Sequence, residues 1–125
     1  GPGGSSVINI SSVGGLSTNP LLGAYGVAKA GVIHLTEQLA AELGPKVRVN
    51  CIAPGLIKTD FARILWDGER GDAVAGTYPL GRLGEVEDIA GCALWLVSPL
   101  GSWVTGQTIA MDGGGLVAFK PEPTE

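Results

Sequence analysis

Tyr25-Gly26-Val27-Ala28-Lys29 sets a phenol and an ammonium four positions apart. On a helix that spacing puts both groups on one face, one turn from each other. A neighbouring ammonium favours the phenolate and draws the phenol's pKa down. A phenol tuned toward neutral pH can act as a general acid or base. Ser12 stands thirteen positions upstream, at the end of an apolar stretch. Its hydroxyl can return to Tyr25 through the Gly15–Gly23 loop and hydrogen-bond a substrate oxygen. A third cluster is Pro54-Gly55-Leu56-Ile57-Lys58-Thr59. A Pro-Gly turn at the C-terminal end of a parallel strand lies where open α/β sheets bind ligands. Each feature has a plainer reading alone: a surface pair, a loop hydroxyl bonded to its own backbone, an ordinary turn. Their occurrence together, in this order, is specific.

The elements that must position these groups follow from the pattern. Val7 to Ser12 reads as a strand, followed by a loop through Gly14-Gly15 and Asn19-Pro20. From about Leu21 to Leu43 the period turns helical, with Val27, Gly31 or Ile33, Leu35 and Leu39 at spacings of three and four. Small residues at Ala24, Gly26, Ala28, Ala30 and Gly31 lower helix propensity, so a neighbour should pack close to this helix. Gly44-Pro45 ends it. Lys46 to Ile52 reads as a second strand, broken by Ala53-Pro54-Gly55. Residues 60–78 should form one or two short, mobile helices. Glu85 to Val97 is a helix with Glu85, Glu87 and Asp88 in its first turn, where the macrodipole favours acids. Ala90, Leu94 and Val97 are its expected buried stripe. Thr108 to Met111 is a last strand before the Asp112-Gly113-Gly114-Gly115 turn. Strand, helix, strand, helix, strand predicts βαβ crossovers and a parallel sheet. Three such strands would leave the first with an unpaired edge, which suggests a piece of a larger sheet.

Composition removes several function classes. The chain has 125 residues, 45% hydrophobic and 16% charged, with a mean hydropathy of +0.30; this is a folding composition. A net charge of −4 without a cluster of Lys and Arg argues against nucleic acid. No apolar run reaches the ~20 residues of a membrane helix, and no signal-peptide pattern opens the chain. Cys51 and Cys92 fit no metal spacing, so no metal is expected and both read as buried, reduced thiols of an intracellular protein. Pro123-Thr124-Glu125 is no peroxisomal address, and a cytoplasmic location is expected. His34, the lone histidine, reads as a surface or interface residue. Trp95 and Trp103 read as core or subunit-interface residues.

Taken together, these segments resemble the C-terminal half of a short-chain dehydrogenase/reductase. The matching stretches are Asn9-Ile10-Ser11-Ser12, Tyr25-x-x-x-Lys29, Arg48-Val49-Asn50, Ala53 to Thr59, Pro79-Leu80-Gly81-Arg82-Leu83-Gly84-Glu85, Thr105-Gly106-Gln107 and Asp112-Gly113-Gly114. Val49 to Thr59, with Phe61 and Ile64-Leu65-Trp66, looks most like the NADP-dependent carbonyl and retinal reductase branch. The fold so implied is α/β, the C-terminal half of a Rossmann-type doubly wound parallel sheet. Residues 1–115 would belong to that domain and 116–125 would be a polar tail.

The resemblance also implies roles. Tyr25 would give a proton to the carbonyl in reduction and take one in alcohol oxidation. Lys29 would lower the pKa of Tyr25 and hydrogen-bond the nicotinamide ribose. Ser12 would hold and polarise the substrate carbonyl. Pro54 and Gly55 would line the nicotinamide face, while the Ile57 backbone and the Thr59 hydroxyl hold its carboxamide. Phe61, Leu65 and Trp66 would be the apolar contacts of a substrate lid. The cofactor would be NADP or NAD, with NADP favoured. Residues 85–114 would join copies into a homodimer or homotetramer.

The family's glycine-rich phosphate turn, which opens a helix after a strand, has no counterpart here. Gly1-x-Gly3 lacks a preceding strand, and Gly113-Gly114-Gly115 leads into no helix. The expectation is a fragment of a longer enzyme that is inactive alone. Two alternatives stand beside a carbonyl/alcohol oxidoreductase. One is a 3-oxoacyl-thioester reductase, for which Lys58, Arg63 and Arg70 give only a thin basic patch for a carrier protein. The other is a non-catalytic, dimerising α/β module.

Overall fold

A computed structural model describes residues 4–118. The Gly1-Pro2 start and the tail from residue 119 onward lie outside the described residues. Strands β1 (Ser5–Ile10), β2 (Val47–Pro54) and β3 (Thr108–Met111) form a parallel sheet in the order β1-β2-β3. Ser5 pairs with Val47 and Ile10 with Ile52; Cys51 pairs with Thr108 and Pro54 with Met111. The helices are α1 (Ala24–Leu43), α2 (Arg63–Trp66), α3 (Gly68–Thr77) and α4 (Val86–Val97).

β2 is the central strand and is covered on both faces, so its residues from Val49 to Ala53 are all buried. That is why its second half, Cys51-Ile52-Ala53, is apolar without alternation, while the buried Asn50 is hydrogen-bonded. The two faces separate by parity, since successive side chains point opposite ways. Ile52 packs with Cys92 and Leu96 of α4, flanked by Ile8, Ile89 and Ile109. Cys51 and Asn9 turn the other way, toward Thr36 of α1. The sheet therefore carries α4 on one face and α1 on the other. Burial raises the pKa of both thiols; the Thr36 and Thr108 hydroxyls beside Cys51 partly offset this.

The Arg48-Val49-Asn50 and Thr105-Gly106-Gln107 segments bind each other. Buried Asn50 donates to Val104 O at 2.9 Å and accepts from Gln107 N at 3.0 Å. Arg48 donates to Leu96 O at 2.6 Å and Val104 O at 3.1 Å. Gly106 sits at φ 71°, in the left-handed region that favours glycine, and its N–H reaches Val49 O at 2.7 Å. This polar staple fixes the chain between α4 and β3 to the strand that ends at the site.

Three sequence expectations need correction. The helix expected from Leu21 begins at Ala24, because the Asn19 side chain accepts from Leu21 N at 2.9 Å and holds the chain in a turn. The α4 stripe Ala90, Leu94 and Val97 is not buried: Leu94 is 70% exposed, and the buried residues are Cys92 and Leu96. Likewise Val27 of α1 is 75% exposed, while Thr36 and Ala40 are buried. Both helices carry two apolar faces, and the period alone does not say which one meets the sheet. The segment over 60–78 holds two short helices, α2 and α3.

Candidate active site

β1 ends at Ile10, and the chain turns into a 3-10 helix, Val13–Gly15, capped by Ser12. The Ser12 Oγ accepts from Gly14 N at 3.1 Å. Its own proton stays available to donate to a ligand. Gly14 lies between the two hydroxyl-bearing residues. A Cβ built there would stand 3.5 Å from Ser12 Oγ and 3.6 Å from Tyr25 Cε1. The Ser12 hydroxyl and the Tyr25 ring edge thus flank one point across the loop. Lys29 Nζ lies over the Tyr25 ring, 5.6 Å from its centroid, within cation–π range. Tyr25 is 50% exposed, so a ligand can reach it. Ser12, Tyr25 and Lys29 are brought together.

Glycines allow this approach. A Cβ at Gly15 would meet Lys29 C at 2.7 Å and Ala30 N at 2.8 Å, and one at Gly26 would meet Gly14 O at 3.1 Å. The small residues of α1 therefore mark a close contact with the loop that carries Ser12.

The end of β2 forms the opposite wall. Gly55 N donates to Met111 O at 2.9 Å. A side chain on Gly55 would press on Asp112, 3.2 Å away, with the Tyr78 hydroxyl at 3.6 Å. Ile57 makes a parallel bridge with Gly84, through Leu56 O and Lys58 N–H. That geometry directs the Ile57 N–H to the other edge. The Thr59 Oγ1 accepts from Ala62 N at 3.2 Å, which again leaves its proton to donate. A cavity of about 160 Å³ lies between the walls, lined by Val13, Gly14, Leu22, Gly55, Tyr78 and Leu116 among others.

Sequence reasoning missed Tyr78 and Leu116. Tyr78 is buried, and its hydroxyl accepts from Leu56 N at 3.4 Å. Its signal was a lone aromatic immediately before Pro79. Leu116 belongs to the stretch expected to be tail, yet its N–H donates to Asp112 Oδ2 at 2.8 Å and folds it against the cleft. The three lid residues sit in different surroundings. Phe61 and Leu65 point to solvent. The Trp66 Nε1 donates to Thr59 O at 2.7 Å, and Trp66 lines a different cavity, with Lys58, Gly71 and Arg82.

Behind that cavity, Arg82 makes a two-pronged pair with Asp88, at 2.8 and 3.0 Å. Asp88 also accepts from Glu85 N at 2.7 Å, completing a capping box at the start of α4. The guanidinium and this N–H hold the Asp88 pKa down to about 2. His34 is exposed on α1 and Trp103 is exposed after α4. Among the described residues, no cluster of His, Cys, Asp and Glu could hold a metal ion. Among them, too, no helix is long and apolar enough to cross a membrane.

Residues 2–115 match a family model described as enoyl-(acyl carrier protein) reductase. Human dehydrogenase/reductase SDR family member 4 is 46% identical over 90% of this chain, and the match covers 41% of that protein. The 3-oxoacyl-[acyl-carrier-protein] reductase of Chlamydia trachomatis is 47% identical over 86% of this chain and 44% of its own length. A solved gluconate 5-dehydrogenase from Burkholderia cenocepacia, in complex with NADP and tartrate, superposes with a TM-score of 0.84. It is 33% identical, over 94% of this chain and 47% of that one. The chain thus spans less than half the length of these relatives. With a model matched along nearly all its residues and a fold shared with solved members, the chain belongs to the short-chain dehydrogenase/reductase family of oxidoreductases.

Proposed function

We propose that this chain is the proton-transfer half of an NAD(P)-dependent oxidoreductase that interconverts a carbonyl and an alcohol. The observation that carries the reading is the convergence of Ser12 Oγ and the Tyr25 ring on one point, with Lys29 Nζ over that ring. A nicotinamide would lie against Gly14 and Gly55, which line the cavity, with Ile57 and Thr59 beyond its lining. Gly14 and Gly55 leave flat backbone on its two walls, and the Ile57 N–H and Thr59 hydroxyl are donors for a carboxamide. The cofactor, when bound, supplies the hydride.

The chain's own residues supply the rest. The Ser12 hydroxyl donates to the substrate carbonyl oxygen and fixes its position. Tyr25 gives that oxygen its proton in reduction and takes it back in oxidation. Lys29 keeps positive charge beside the phenol as the proton leaves. Pro54, the last residue of β2, and Gly55 after it would line the nicotinamide face. Phe61 and Leu65 are exposed apolar groups available to a substrate that draws residues 60–78 over the cleft. NADP is the preferred cofactor.

Activity belongs to a longer protein that also brings a phosphate-binding turn, and residues 1–125 alone are inactive. Copies pair through residues 85–114, where Leu94 and Trp103 are exposed. The test is oxidation of NADPH by a reactive diketone, run with the protein at its natural length and with residues 1–125. Turnover by the first and none by the second is expected. No turnover by the natural-length protein with any ketone, aldehyde or 3-oxoacyl thioester overturns the oxidoreductase reading. Turnover by the shorter chain overturns its inactivity. A monomeric mass by light scattering overturns the pairing.

A second reading, reduction of a 3-oxoacyl thioester, is supported by the likeness to the chlamydial reductase. Faster turnover of a 3-oxoacyl thioester than of the diketone would favour it.

A further inference from the structure

We propose that Ser11 is a positioning residue that sets Lys29 and Tyr25 against Ser12; the inference rests on the catalytic reading above. Ser11 is 4% exposed, and its Oγ donates to the carbonyl of Lys29 at 2.7 Å, across 18 positions of sequence. Its own N–H is held by Ile52 O of β2 at 2.9 Å. The hydroxyl therefore transmits the position of the sheet directly to one peptide of α1. The Lys29 carbonyl has two lone pairs, so it can take this bond besides the one within its helix.

The same peptide is held from a second place. The Gly15 backbone lies against Lys29 C and Ala30 N so closely that a Cβ would stand 2.7 and 2.8 Å from them. Ser11 and Gly15 bracket Ser12 in the chain. The segment that carries the Ser12 hydroxyl thus grips the helix at the residue that carries the ammonium, one turn after the phenol. A second rung, Asn9 Nδ2 to Thr36 Oγ1 at 3.1 Å, ties β1 to α1 farther along the helix. Only the Ser11 rung ends at a residue of the catalytic pair. Ser11 touches no reacting atom in this arrangement. It acts through Lys29.

The physical consequence is a rate effect. A misplacement of about 1 Å between reacting groups can cost about 10²-fold. Ser11→Ala removes the bond without leaving the Lys29 carbonyl unpaired, so the fold should survive. In the natural-length protein, S11A should lower kcat at least about tenfold, with KM for the carbonyl substrate unchanged. Ser11→Thr keeps a hydroxyl and should restore most of the rate. An unchanged kcat in S11A, or a folded S11T as slow as S11A, overturns the proposal. If the natural-length protein reduces no carbonyl, the catalytic reading has failed and amide hydrogen exchange decides the positioning alone. S11A should then speed exchange at Lys29–Ile33 at least about tenfold and leave α4 unchanged. Equal exchange in both proteins overturns it.

Discussion

Helix α1 begins after Gly23, which offers no side-chain acceptor, whereas α4 starts inside a closed ring of hydrogen bonds. At α4, Glu85 and Asp88 cap each other's backbone N–H groups and Arg82 grips Asp88 from outside. These contacts come from neighbours within six positions. At α1 the contacts come from far away: Ser11, Gly14 and Gly15 on the loop, Asn9 and Cys51 on the sheet. Under the proposed function the difference has a reason. The start of α4 has only to be a helix end beside the sheet. α1 would have to present Tyr25 and Lys29 at a fixed distance from Ser12, and local caps cannot set a distance to another element.

The sharpest separation of the two helices is chemical. Tyr25→Phe deletes one exposed hydroxyl and should lower carbonyl reduction by about 10²–10⁴-fold, the usual worth of a general acid. Its melting temperature should stay that of the parent. Turnover within tenfold of the parent would remove Tyr25 from the reaction.

Leu96→Ala strikes the packed face of α4. Leu96 is fully buried against Ile52 and Cys92, and such truncations cost about 2–5 kcal/mol. Chemical denaturation should show a loss in that range, and a cost below 1 kcal/mol would mean that Leu96 packs loosely.

Gly15→Ala strikes α1 through its close contact. The new methyl meets backbone atoms, which cannot swing aside as a side-chain end can. Overpacking of this kind costs about 1–3 kcal/mol, and activity should fall with it. At Gly14 the first atom met is the flexible Leu22 Cδ1, so Gly14→Ala should cost less. An equal cost at both positions would contradict the idea that the loop backbone sets α1.

The smallest effect concerns the α4 cap. The Asp88 pKa lies at about 2, below its ordinary value of 3.8. The sign follows: the folded state favours the carboxylate, so its stabilisation is complete above about pH 4 and is lost as pH falls toward 2. Asp88→Asn should lower the melting temperature at pH 7 by a few degrees at most, because the pair is exposed. It should also flatten the drop between pH 4 and 2. An unchanged slope would place that acid sensitivity elsewhere.

Much of this was legible in the residues. The pattern of Lys46 to Ile52 announced the strand β2, though not that both its faces are covered. The acids after Glu85 announced the start of α4. The small residues of α1 announced a close neighbour, which is the Gly14–Gly15 backbone. Ser12, Tyr25 and Lys29 were recognisable as types and spacings before their distances were known. Less legible was which side of each helix meets the sheet. Leu94 and Val27 have the right period, yet Leu96 and Thr36 are the residues inside. Nor was the turn that brings Leu116 to the cleft readable, since it depends on an Asp112 side chain reaching forward to a backbone N–H.

The sequence by itself determined what is local: where strands and helices run, which turns need glycine, and which side chains can move a proton. These follow from period, propensity and the chemistry of single groups. Tertiary structure alone decided which of two apolar faces is buried, that Ser11 and not Ser12 reaches the Lys29 carbonyl, and that Tyr78 closes the cleft. Such choices depend on distances between atoms far apart in the chain. Those distances are set by the packing of the sheet between α1 and α4.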